Sequence, residues 1–170
     1  MDYRQAYATA LSELGNPEIS IGYSGIEFCP PDKIRDYQAG YSVTPNGKNL
    51  VDDIKPGSWR STWIVIARDT LIGDPIFVDT GSANFPVMTA VHGEGDWEPR
   101  TIASSLESFF ACLSEVRQLA SGRETPVALE SNPISLVDRK QFLARISELN
   151  RSEIHAEFWD TLIGSEEPLV

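Results

Sequence analysis

Trp63-Ile64-Val65-Ile66-Ala67-Arg68-Asp69 and, across the turn at Gly73-Asp74, Pro75-Ile76-Phe77-Val78-Asp79 decide the fold. The first is a nearly continuous apolar run rich in β-branched residues, as a central strand requires. Phe85-Pro86-Val87-Met88-Thr89-Ala90-Val91 supplies a third candidate strand. The connections are too short for parallel crossovers, which need a dozen or more residues, so the strands are expected to be antiparallel neighbours.

Upstream, Ile19 to Phe28 reads as short strand around a glycine turn, and Tyr3, Tyr7, Leu11 and Leu14 share one helical face that Gly15 ends. Pro30-Pro31-Asp32 opens a predicted short helix through Ile34 and Tyr37 to Gly40, and Thr44 to Asn49 is loop with an Asn46-Gly47 turn. Downstream, Ile102, Leu106, Phe109, Phe110, Leu113 and Val116 predict a long helix, with Ser104 and Glu107 at capping-box spacing and Gly122 as its stop. Thr125-Pro126 and Asn132-Pro133 read as loop. Two further helices follow, one through Phe142, Leu143, Ile146 and Leu149, the other through Ile154, Phe158 and Leu162. The second has Asn150 and Glu153 as a capping pair and Gly164 as a stop. The expected architecture is α+β, a mainly antiparallel central sheet flanked by helices. Residues 1–120 form its core, and 121–170 are a helical extension packed on the same domain.

A chain of 170 residues, 41% apolar and 23% charged, is expected to form one domain. Twenty-five acids against fourteen bases give a net charge of −11. That balance argues against binding to nucleic acid or an anionic membrane surface, both of which require Lys and Arg. It suits either simple solubility or faster encounter with a basic partner. No apolar leader or membrane-length run is present, and a cytoplasmic setting is expected. Cys29 and Cys112 make no metal or redox pattern; free buried thiols are expected, with a disulfide left open.

Phe77-Val78-Asp79-Thr80-Gly81-Ser82 resembles the active-site loop of aspartic proteases, whose chemistry uses two carboxylates sharing a proton. One copy would serve only in a homodimer. The bracing apolar-apolar-Gly segment would have to be Leu162-Ile163-Gly164, close to the last residue given, so an apolar strand running into an Asp-Gly turn is the favoured reading. His92-Gly93-Glu94-Gly95-Asp96-Trp97-Glu98-Pro99 offers His92, Glu94 and Asp96 as metal donors, but with only His92 and His155 in the chain a zinc site would be mostly carboxylate. No metal or cofactor is expected. Gly22-Tyr23-Ser24-Gly25 lacks the last glycine of a nucleophile elbow, since Ile26 stands there. Trp97, amid acids, is either an exposed binding anchor or a ring folded back on the sheet.

Four blocks, Ile21 to Phe28, Trp63 to Asp69, Gly73 to Asp79 and His92 to Pro99, precede the long helix. Their order resembles the SUKH superfamily, which includes Smi/Knr-type cell-wall regulators and bacterial immunity proteins. The resemblance covers roughly the first 120 residues. It implies an α+β fold without catalysis and, for bacterial members, binding that neutralises a toxin, often a nuclease. The residues after Ala120 have no counterpart in the shared core and leave open whether the chain is a monomer or a homodimer. The expected function is a protein-binding module with a basic toxin domain as partner. Asp74, Asp79, Glu94, Asp96, Trp97 and Glu98 are the candidate contacts. A regulatory scaffold is the alternative, and a homodimeric protease using Asp79 a remote one.

Overall fold

A computed structural model of the chain describes residues 2–164. Six strands form one sheet in chain order, each antiparallel to the next: β1 (Glu18–Ile21), β2 (Ser24–Phe28), β3 (Trp63–Asp69), β4 (Pro75–Asp79), β5 (Val87–Thr89) and β6 (Arg100–Ala103). The helices are α1 (Tyr3–Leu14), α2 (Leu106–Ala120), α3 (Pro126–Ser131), α4 (Leu136–Leu149) and α5 (Ala156–Leu162). The architecture is α+β with an antiparallel sheet, as expected.

The β1–β2 hairpin turns on two residues, Gly22 and Tyr23, with Gly22 at φ 60°. A glycine at the first central position is the mark of a type II′ hairpin, whose twist suits the strands. Helix α1 ends at Gly15 (φ 73°), whose N–H returns to the Leu11 carbonyl. Its Tyr7 is fully buried and donates its hydroxyl to the carbonyls of Cys29 (2.6 Å) and Ile66 (2.8 Å). Burial pushes that phenol well above its ordinary range.

Strand alternation divides the core in two. Ile64, Ile76, Val78, Val87 and Ile102 join the core on the helix side; Val65, Phe77 and Met88 form a second cluster on the opposite face. The β3–β4 register shifts between Val65 and Ala67. At this bulge two successive residues, Ile66 and Ala67, both enter the helix-side core. Helix α2 lies across that side with Phe109, Cys112, Leu113 and Val116 buried.

Four elements differ from expectation. Ile102 belongs to β6, and α2 starts at Leu106; its cap is Ser105, not Ser104, with the hydroxyl accepting from the Ser108 N–H at 2.9 Å. Residues 30–40 form two single 3₁₀ turns, Pro31–Lys33 and Asp36–Gln38, that turn Ile34 and Gln38 inward. The third strand shrinks to Val87–Thr89, because Phe85 stands at φ 51° and Pro86 has no N–H to donate. Helix α3 occupies what read as loop: Thr125 caps it through the Ala128 N–H and Pro126 takes the first position.

The segment after residue 120 is built into the same core. Phe142 and Ile146 of α4 and Trp159 of α5 are buried with α2. Asn150 accepts from the Ser104 N–H (2.8 Å) and donates to the Ile146 carbonyl (2.7 Å), so it closes α4 and does not pair with Glu153. Along the outer side of β6, the His155 N–H bonds the Thr101 carbonyl (2.7 Å) and the Trp159 indole bonds the Ile102 carbonyl (2.8 Å). Arg139 grips Asp160 with two 2.6 Å bonds between α4 and α5. Cys29 and Cys112 are free and buried. Among the described residues no helix is long and apolar enough to cross a membrane.

Candidate functional site

Residues 69–99 contain six acids (Asp69, Asp74, Asp79, Glu94, Asp96 and Glu98) and no Lys or Arg. This stretch runs from the β3–β4 turn through β4 and β5 to the loop before β6. More than half of the net charge of −11 is thus carried by two strands and their connections.

The face of the sheet opposite the helices carries an aromatic pad. Trp59 is fully buried over Phe77 (ring centroids 4.8 Å) and meets Trp63 (5.5 Å), Tyr41 (5.2 Å) and Trp97 (5.1 Å). These rings anchor two stretches of irregular chain, residues 39–62 and 90–99. The stretches touch where the Trp97 N–H donates to the Gly57 carbonyl at 2.7 Å. Gly57 has φ 77°, and a Cβ there would come within 2.6 Å of the Asp96 carboxylate, so the junction requires glycine. Side chains also replace missing sheet partners. Gln38 donates to the Val65 carbonyl (3.0 Å) and accepts from the Val65 N–H (3.0 Å), pairing with β3 as a strand residue would.

Asp52 accepts from the N–H groups of Ile54 and Lys55 (both 3.0 Å), and Asp53 from that of Ser61 (2.8 Å). These backbone bonds hold both carboxyls below their ordinary range. The turn they stiffen leaves Ile54 91% exposed.

The structure brings Glu94, Asp96, Trp97 and Glu98 together on one loop, with the three acids exposed and the Trp97 ring half-buried against the pad. Of the two readings of Trp97, the folded-back one applies. Asp74 is buried and acts as a bracket: one oxygen accepts from the His92 N–H (3.0 Å) and lies 2.7 Å from His92 Nδ1, fastening the loop to the β3–β4 turn. Asp79 stands at the far end of β4, about 17 Å away by strand rise. Its carboxylate is engaged by its own turn, accepting from the Gly81 N–H (2.9 Å) and the Ser82 hydroxyl (3.2 Å). Leu162, offered as part of a protease-type brace, ends α5.

Other reactive groups are quiet. Burial pushes the Cys29 thiol up to about 12 and the Cys112 thiol up to about 11. Among the described residues no three His, Cys, Asp or Glu side chains gather in a way that would hold a metal. Sequence reasoning missed Tyr41 and read Trp59 only as a core or rim residue; both carry the loop cover. It also missed Leu71, Ile72 and Val91, which stand exposed beside Asp74. The available signal was an apolar Leu-Ile pair directly before the Gly73-Asp74 turn, where polar residues are usual. No protein-family model, no curated protein and no solved structure matches the chain.

Proposed function

We propose that this chain is a non-catalytic protein-binding module whose acidic surface, residues 69–99, receives a basic protein. The observation that carries the reading is the charge of that stretch: exposed Glu94, Asp96 and Glu98 on a loop fastened at Asp74 and Trp97, half-buried Asp69 and Asp79 at strand ends, and no Lys or Arg among residues 69–99. Fixed like charge steers a basic partner and costs little ordering on contact. In this reading the SUKH resemblance extends to fold family and role: a bacterial immunity protein that meets a toxin domain, often a nuclease, in the cytoplasm and blocks it. Nuclease surfaces are basic where they hold phosphate, which suits an acidic cover.

The test is to titrate the purified chain with a basic nuclease-toxin domain, taken from beside its gene where one is encoded there, and to co-express the pair. Rescue of growth and binding that weakens as salt rises from low to physiological levels are expected. Protection without any direct complex, or peptide cleavage by the wild type that Asp79→Asn abolishes, would overturn the reading.

A further inference from the structure

The β3–β4 turn holds two consecutive apolar side chains in water. Leu71 is 54% exposed and Ile72 58%, and Val91, leaving β5, is 39% exposed. The three adjoin. The β4–β5 register pairs Ile76 with Thr89, so its continuation sets Asp74 opposite Val91. The His92 N–H does bond Asp74, and a Cβ on Gly73 would touch the His92 ring at 3.9 Å.

This turn is rigid. One Asp69 oxygen accepts from the N–H groups of Leu71 (2.6 Å) and Ile72 (3.0 Å). The Gly73 N–H returns to the Asp69 carbonyl (3.1 Å), the Asp69 N–H donates to the Asp74 carbonyl (3.0 Å), and the Thr70 N–H is held by the Gly25 carbonyl (3.0 Å). The apolar side chains are therefore presented on a fixed backbone, and a partner need not order it. Exposed Glu94 and half-buried Asp69 lie on the same two connections as the apolar residues, Asp74 is buried against His92, and the nearest Lys or Arg in sequence are Arg68 and Arg100. An apolar centre with a charged rim is the usual anatomy of a protein interface. The groove between α1 and α2, about 1010 Å³, carries Glu13, Glu107 and Arg117 on its walls, charges of both signs.

We infer that Leu71, Ile72 and Val91 form the apolar centre of the docking site. Its occupant is a cationic segment of the partner in which an apolar side chain is flanked by Lys or Arg. The inference rests on the protein-binding reading above and assigns it a place and a chemistry.

Three synthetic peptides test it against the isotope-labelled full chain: alternating Lys and Leu, Lys alone at matched charge, and alternating Glu and Leu. The Lys/Leu peptide is expected to shift the amides of residues 69–74 and 91–94 saturably. Its affinity should fall about tenfold in the double variant Leu71→Ser, Ile72→Ser, and again in Glu94→Lys, with circular dichroism and Tm unchanged. All three positions are exposed, so neither variant threatens folding. Saturable binding that maps to residues 44–60 or to the α1–α2 groove sinks this patch and leaves the basic-partner reading standing. Lys alone binding as tightly as Lys/Leu removes the apolar centre from the inference and defeats it. Tighter binding of the Glu/Leu peptide, or no saturable binding of any peptide, defeats the patch; the Glu/Leu result defeats the basic-partner reading as well.

Discussion

The two faces of the sheet are covered in different ways. On one, α2 lies against the strands with α1 and α4 beside it, and each helix satisfies its own backbone. On the other, residues 39–62 and 90–99 cross the strands without regular structure, and their polar groups must find partners one at a time. Gln38 serves Val65, Asp52 serves Ile54 and Lys55, and Trp97 serves Gly57. Regular cover gives stability but a uniform surface. Irregular cover rests on a few ring anchors and leaves the neighbouring loops to carry exposed acids and apolar tips. Recognition commonly sits on loops held by a rigid scaffold.

The largest expected effect lies on the helix side. Phe109 is fully buried against Phe110 and Trp159, so Phe109→Ala should cost about 3–5 kcal/mol and unfold the whole chain earlier in a denaturant titration. Trp59→Ala removes a ring of comparable burial, yet its cost should be smaller, about 2–3 kcal/mol, because the loop cover can open locally. Hydrogen exchange separates the two: in Trp59→Ala the amides of 39–62 should lose protection while α2 keeps its own. Simultaneous loss in α2 would mean that the faces form one cooperative unit. Gln38→Leu should cost about 2 kcal/mol, since it strands the N–H and carbonyl of Val65 in the interior; a Tm unchanged from wild type would refute that pairing.

The smallest effect is acid sensitivity. Asp52 and Asp53 are held below their ordinary range by backbone bonds in the folded chain. Their contribution is present above the unfolded carboxyl value of about 3.9 and fades as pH falls through the lower folded values. Acid should therefore loosen residues 52–61 before the helices. Tryptophan emission followed against pH should show a step that Asp52→Asn and Asp53→Asn together remove; a step untouched by the pair would assign it to other groups.

Legibility in the sequence follows the same division. Tyr3, Tyr7, Leu11 and Leu14 give α1, and the apolar runs give β3 and β4, because local periodicity reports directly on one buried face. The misassignment of Ile102 has a physical basis. It lies four residues before Leu106, which is helical spacing, but Ser104 and Ser105 turn the chain between them so that strand and helix feed one core. The acids Glu94, Asp96 and Glu98 were legible as a loop cluster. The bracket at Asp74 was not, since its partner His92 is eighteen residues away and only the β4–β5 pairing brings them together. Trp59 was legible as a core or rim residue but not as the anchor of the cover: a ring buried from within irregular chain leaves no periodic trace.

The bonds that the final helices make along the outer side of β6 have a further consequence. That border therefore offers another chain fewer open backbone groups than a bare edge would, a protection against strand-to-strand pairing there.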